Sequence, residues 1–151
     1  MDKNHKLLFH GAKSRIEGKL DIHKSRTNND LGQGFYTGER YEQAISFISG
    51  FEKSSVYIFD FKEEGLKGKK YNVNQEWMMT IAYYRGVLEE YENHPIIKKL
   101  IEKSCDCDYI IAPIADNRMF QIINSFIMGE ITDEQCKHCL AATNLGYQYV
   151  F

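Results

Sequence analysis

Residues 30–38 read Asp30-Leu31-Gly32-Gln33-Gly34-Phe35-Tyr36-Thr37-Gly38, a short apolar run that glycines interrupt and enclose. Glycine lets the backbone bend sharply and approach a neighbouring group closely. The pattern therefore predicts a short strand over Gly34–Gly38. Beyond it, apolar residues recur at spacings of three and four from Tyr41 to Ile48. This period is typical of an amphipathic helix, which we expect over Glu39–Phe51.

The same signals predict the remaining elements on both sides of this stretch. Residues 12–33 are polar and form a long loop, a length that is more often functional than not. Pro95 either only ends a helix before it or also opens a further helix that runs to Lys103. The other predicted strands are Lys6–His10, which Gly11 stops, Ser55–Phe61, Lys69–Val73, Tyr109–Ala112 and Gly146–Phe151, and the other predicted helices are Gln75–Tyr91, Arg118–Met128 and Asp133–Ala142.

This order is neither a regular alternation of strands and helices nor all-helical. It predicts a single α+β domain over residues 1–151, with small antiparallel or mixed sheets flanked by helices. An aromatic content of 13% with two prolines suits a compact fold with a lined cleft and not a disordered chain.

Composition excludes some classes of function. The chain has 151 residues, with 19 Lys and Arg against 21 Asp and Glu, so its net charge of −2 provides no overall basic excess for nucleic acid or an anionic membrane. The apolar runs are too short for a membrane span, and the residues before Leu7 lead us to expect no secretory signal. Four cysteines in such a chain are expected to be reduced, which predicts a cytoplasmic location.

Two positions are candidates for chemistry. His10 ends the first predicted strand, with Gly11 behind it, and an imidazole can donate or accept a hydrogen bond near neutral pH. Tyr36 lies between glycines and could place its ring over a flat group. Each has a structural alternative, since His10 could be a satisfied structural residue and Tyr36 a core aromatic beside a turn.

Taken together, five pieces of the chain resemble the ADP-ribosyltransferase superfamily, most of all the branch that uses a His–Tyr pair, as in diphtheria-toxin-like and poly-ADP-ribose enzymes. More closely, they resemble a bacterial family known mainly as a domain of unknown function and regarded as ADP-ribosyltransferase-like. The pieces are Leu8-Phe9-His10-Gly11, Asp30-Leu31-Gly32-Gln33-Gly34-Phe35-Tyr36, Glu42-Gln43-Ala44, Ile111-Ala112-Pro113-Ile114-Ala115-Asp116-Asn117-Arg118 and Gln148-Tyr149-Val150-Phe151.

The resemblance implies an NAD site. His10 would bond a ribose hydroxyl, the backbone of Gly11 would meet the nicotinamide carboxamide, and Tyr36 would stack on the nicotinamide ring. Gly34 and Phe35, from the same motif, and Asp116 would also belong to the cofactor-binding residues.

The third catalytic position departs from the superfamily pattern. Where the superfamily usually carries a glutamate on a late strand, this chain has Gln148, which can hold a hydroxyl but brings no negative charge. Asp116 is the acid that could take over, although it could equally be the N-cap of the helix that follows. Gln148 itself could be an ordinary strand residue.

The implied function is NAD-dependent transfer of ADP-ribose to a macromolecular acceptor, either protein or nucleic acid. Such an enzyme could be an intracellular toxin with a small neutralising protein as its partner. The alternative is a non-catalytic module of the same fold that recognises NAD, ADP-ribose or a protein partner, and Gln148 favours it. The long loop over residues 12–33 is expected to cover the adenosine side of the dinucleotide.

Two further patterns carry weaker hypotheses. Cys105-x-Cys107 and Cys136-x-x-Cys139, with His138 between the second pair, could form a zinc site, but idle reduced thiols are the alternative and we assign no metal. The basic residues of the long loop could hold NAD phosphates or an acidic target, or could be a solvated surface. These residues are Lys13, Arg15, Lys19, Lys24 and Arg26.

Overall fold

Strands and helices follow one another irregularly in the computed structural model, which describes residues 5–22, 29–142 and 145–151. A short 3-10 helix covers Glu89–Tyr91. The strands are β1 (His5–Ala12), β2 (Tyr36–Gly38), β3 (Ser55–Lys62), β4 (Gly68–Lys70), β5 (Tyr109–Pro113) and β6 (Tyr147–Val150), and the α-helices are α1 (Tyr41–Ile48), α2 (Gln75–Tyr84), α3 (Pro95–Cys105), α4 (Asn117–Ile127) and α5 (Asp133–Ala141).

The strands form one six-stranded mixed sheet in the order β3-β1-β2-β6-β5-β4. Neighbouring strands are antiparallel, apart from the parallel pair of β4 and β5. The predicted α+β class is confirmed, but the strands join into one sheet rather than several small ones. The short strand β2 makes this join, because it pairs with β1 on one side and with β6 on the other.

The helices supply most of a core against one face of the sheet, which we call the helix-side core. Trp77, Met78 and Ile81 of α2 pack there with residues of α4 and α5, and all three are fully buried. The sheet contributes Ile110 and Val150 to the same cluster. Burying this apolar surface is the main term that favours the folded chain.

The opposite face of the sheet carries a second cluster, made of strand residues and Phe151, which we call the concave cluster. The ring of Phe61 on β3 lies 5.0 Å from that of Tyr109 on β5, centroid to centroid. Three strands separate β3 from β5, so a flat sheet would hold them about 19 Å apart at about 4.8 Å per strand. The sheet is therefore strongly curled. The members are Leu8, Tyr109 and Tyr149, with Phe59, Phe61, Ile111 and Phe151 packed against them.

Two predicted boundaries near the site are wrong. Gly11 does not stop the first strand, which continues through Ala12 because Gly11 and Ala12 pair with Val56 and Ser55 of β3. His10 is therefore not the last residue of its strand. The helix α1 covers Tyr41–Ile48, whereas the sequence predicted a longer helix over Glu39–Phe51.

The longest predicted helix is also too long. Asn74 caps it as predicted, since its side-chain oxygen accepts a hydrogen bond from the Trp77 amide at 3.0 Å. The helix ends at Tyr84 because Gly86 turns the chain with a φ of +89°. Pro95 opens α3, as one of the two alternatives expected. None of the helices in residues 5–22, 29–142 and 145–151 is long and apolar enough to cross a membrane.

Candidate functional site

His10 projects from the concave side of β1. Its partner across the β1–β3 ladder is Tyr57, and Leu8, two residues earlier on the same side, belongs to the concave cluster. The imidazole Nδ1 lies 2.6 Å from the carbonyl oxygen of Tyr36. A carbonyl can only accept, so Nδ1 carries the hydrogen and Nε2 of the neutral ring is an acceptor. The ring is half-buried, and its orientation is fixed by the backbone of β2.

Phe35 is the aromatic residue that meets His10. The two rings stack at 4.2 Å with 25° between their planes, and Phe59 meets Phe35 edge-on at 5.5 Å. Backbone hydrogen bonds of 2.9 and 3.0 Å tie Phe35 to Phe151. His10, Phe35 and Phe59 together form what we call the mouth of the concave face.

Tyr36 lies on the other side of the sheet, since neighbours along an extended chain point in opposite directions. Its ring packs against the helix-side core. Its hydroxyl accepts a hydrogen bond from the Leu31 amide at 3.0 Å and donates to the Gly32 carbonyl at 2.5 Å. Burial raises the pKa of this hydroxyl far above its ordinary value. The structure thus joins His10 and Tyr36 through the Tyr36 carbonyl and leaves their rings on opposite faces.

Gln148 is buried on the same side as Tyr36. On the sheet its partners are Gly38 and Ala112, and its amide nitrogen donates to the Pro113 carbonyl at 3.4 Å. Its proximity also lowers the pKa of the Asp30 carboxyl, against the larger effect of burial. Of the three predicted catalytic residues, Tyr36 and Gln148 share one side of the sheet and His10 occupies the other.

Asp30 forms a partly buried ion pair that the sequence did not indicate. Its Oδ1 lies 2.7 Å from Nε of Arg85, which caps the end of α2. The Arg85 guanidinium lies over the Phe120 ring at 4.8 Å. Asp30 stands in the quoted motif, but nothing in the sequence indicates a partner 55 positions away.

Burial raises the pKa of the Asp30 carboxyl above its ordinary value, although the Arg85 guanidinium opposes the shift. The folded state then holds a proton that the unfolded state releases above about pH 3.9. The stabilisation that Asp30 provides is complete below that pH and is lost as the pH rises through the folded-state pKa.

We therefore expect the free energy of unfolding of the wild type, minus that of Asp30→Asn, to fall as the pH rises from about 3 to about 7. Urea unfolding of both proteins across this range measures it. A difference that stays constant or grows with pH would contradict the raised pKa.

The sequence profile of a protein family described as "Protein of unknown function (DUF3990)" matches residues 7–151. The chain belongs to this family. Neither a curated protein nor a solved structure matches the chain. The match to DUF3990 includes every site residue named above, and the resemblance to ADP-ribosyltransferases stays a prediction.

The other predicted site residues of this DUF3990 chain each have a structural role. A Cβ atom added to Gly11 would lie 2.4 Å from the Ala44 carbonyl oxygen of α1. One added to Gly34 would lie 2.8 Å from a Val150 methyl group. Asp116 caps α4, because its carboxylate accepts from the Met119 amide at 2.8 Å. Gly11 and Gly34 thus permit close packing, and Asp116 has the capping role that was its alternative.

The cysteines of the DUF3990 chain do not converge. Cys136 is buried with its Sγ 3.2 Å from Sδ of Met78, whereas Cys107 donates to the Ser104 carbonyl at 3.4 Å. Within the ranges that the structure describes, no three His, Cys, Asp or Glu side chains are grouped to hold a metal ion. The structure therefore does not bring the two cysteine pairs together as one set of ligands.

The start of the long loop lies against the strand next to His10. The Ile16 amide donates to the Tyr57 hydroxyl at 2.7 Å. Lys13 lies over the rings of Phe47 and Phe51 at 5.6 and 4.9 Å. Arg15 and Lys19 are exposed, and Lys24 and Arg26 lie outside the described residues.

Proposed function

We propose that this chain binds NAD at the mouth of the concave face and transfers its ADP-ribose to a protein or nucleic-acid acceptor. The observation that carries the proposal is the His10 imidazole. Its Nδ1 bond to the Tyr36 carbonyl makes Nε2 an acceptor, which is what a ribose hydroxyl requires. The flat ring of Phe35 lies directly beside it.

In the proposed reaction, the bond between the ribose C1′ and the nicotinamide nitrogen breaks, and its electron pair leaves with nicotinamide. The ribose acquires oxocarbenium character, as in glycoside cleavage. A nucleophile of the acceptor then bonds to C1′ and loses its proton to solvent. His10 would hold the sugar in the reactive orientation, and Phe35 would offer a stacking surface to the nicotinamide, a task that the resemblance assigned to Tyr36.

A second candidate function is recognition of NAD or ADP-ribose without transfer, by the same mouth. One observation favours it: the Gln148 amide donates to the Pro113 carbonyl, Asp30 pairs with Arg85, and Asp116 caps a helix. None of these groups faces His10, so no carboxylate among them would stabilise a cation forming there.

Nicotinamide release and NAD affinity together test both functions. We expect NAD to raise the melting temperature of the wild type, since it would bind only the folded chain. His10→Ala should weaken NAD binding about tenfold, the effect of losing one hydrogen bond of about 1.4 kcal/mol. Phe35→Leu should weaken it by a similar factor through the lost stack. Isothermal titration calorimetry measures both affinities.

His138→Ala is the matched control, because this exposed histidine lies on α5 and outside the mouth. It should bind NAD as the wild type does. Nicotinamide release that His10→Ala abolishes would support transfer, whereas binding without release would select the recognition module. A wild-type protein that binds neither NAD nor ADP-ribose would contradict both.

A further inference from the structure

We infer that Asp30 is a positioning residue for His10, acting through Tyr36 across the sheet. A continuous series of bonds runs from the Asp30 carboxylate through the turn at Leu31 and Gly32 to the Tyr36 hydroxyl, and from the Tyr36 carbonyl to the imidazole. The inference concerns the tautomer and orientation of His10, and it rests on the proposed function only in its consequence for NAD.

The first step is the bond that holds Asp30 to the end of α2. The carboxylate bonds Nε of Arg85 at the end of α2, at 2.7 Å. Stacking on Phe120 orients the Arg85 side chain. The Asp30 side chain is 12% exposed and is held by this ion pair at the end of α2, so it has little freedom to move.

The second step runs from Asp30 to the phenol. Leu31 follows Asp30 directly, and its amide donates to the Tyr36 hydroxyl at 3.0 Å, which in turn donates to the Gly32 carbonyl. Gly32 has a φ of +84°, and a Cβ there would lie 2.8 Å from the Tyr84 ring. The Tyr36 hydroxyl and the Tyr84 ring thus both restrict the turn. The position of Asp30 therefore determines where the Leu31 amide and the Gly32 carbonyl lie, and these are the groups that the phenol bonds.

The third step crosses the sheet within one residue. The Tyr36 ring points to the helix-side core, and the Tyr36 carbonyl accepts from Nδ1 of His10 at 2.6 Å on the other side. Rotation of Tyr36 would therefore lengthen the bond that keeps the hydrogen on Nδ1. Because the tautomer of a neutral imidazole follows the bond that one of its nitrogens makes, this loosening would change which His10 nitrogen can accept.

The test reads the His10 imidazole directly by nuclear magnetic resonance of the full chain, at a pH where the ring is neutral. A long-range proton–nitrogen correlation spectrum distinguishes the two tautomers, and His10→Gln assigns the signal among the five histidines. The wild type should show the Nδ1–H form. Asp30→Ala and Tyr36→Phe should each lower the ratio of Nδ1–H to Nε2–H about fivefold, the effect of weakening one hydrogen bond.

Two controls separate positioning from a general loss of stability. Ile123→Val removes one buried methyl group from the helix-side core, and Asp106→Ala removes an exposed carboxylate that pairs with Lys67. Neither should alter the His10 signal. If Asp30→Ala does not fold because Arg85 is left unpaired, the double variant Asp30→Ala with Arg85→Met replaces it in the comparison.

An unchanged His10 signal in the folded Asp30 variant would overturn the inference, whatever Tyr36→Phe does. The readout needs no NAD, so its failure and that of the proposed function are separable. A wild-type protein that does not bind NAD would contradict the proposed function but not this inference. If NAD does bind, Asp30→Ala should weaken its affinity by a factor no larger than that of His10→Ala.

Discussion

Gly11→Ala should lower the free energy of unfolding by about 3 kcal/mol, at the upper end of what overpacking costs. The added methyl group would lie 2.4 Å from the Ala44 carbonyl oxygen and 2.9 Å from Cγ2 of Ile48. The nearest atom is helix backbone and cannot rotate aside, so α1 would have to move off β1. Urea unfolding followed by the fluorescence of the single tryptophan, Trp77, measures the loss.

Gly50→Ala provides the matched comparison for this prediction. Gly50 has a φ of +93° and nothing within 4 Å of an added Cβ, so only conformational strain opposes an alanine there. Its cost should be about 1 kcal/mol. If the Gly11 variant is no less stable than the Gly50 variant, α1 does not pack as closely on β1 as the structure has it.

Local patterns predicted most of the elements and few of their contacts. The β-branched and aromatic residues of Ser55–Phe61 and the capping residues Asn74 and Thr132 are signals within a few residues of their effect, and the structure confirms those elements. Gly86 lies within the predicted helix Gln75–Tyr91, whose apolar residues continue with helical spacing beyond the glycine. A glycine is tolerated within a helix, so its left-handed turn could not be read from the pattern alone.

In the candidate site too, the sequence predicted residues but not the contacts between them. His10 and Phe35 were both singled out, but the stacking of their rings depends on a register that a single pair, Phe9 and Gly38, fixes between β1 and β2. A shift of one residue would exchange Phe35 for Tyr36 on the concave face. The pairing of Asp30 with Arg85 depends on tertiary packing, which no local spacing reveals.

Phe61→Ala should lower the free energy of unfolding by about 3 kcal/mol. Phe61 packs edge-on against Tyr109, Tyr149 and Phe151, at centroid distances of 5.0, 5.8 and 5.2 Å. These rings come from β3 on one side of the curl and from β5 and the end of β6 on the other. Removing the central ring opens a cavity where the two halves of the sheet meet.

Ile58→Ala on the same strand is the control for this prediction, because Ile58 is 61% exposed and points away from the concave face. It should change the free energy of unfolding by about 0.5 kcal/mol or less. The near-ultraviolet circular dichroism of the tyrosines should weaken in Phe61→Ala alone, since the ordered packing of Tyr109 and Tyr149 depends on that ring. Equal losses of stability in the two variants would mean that β3 and β5 do not meet across the concave face, and the curl that forms the mouth beside His10 would be wrong.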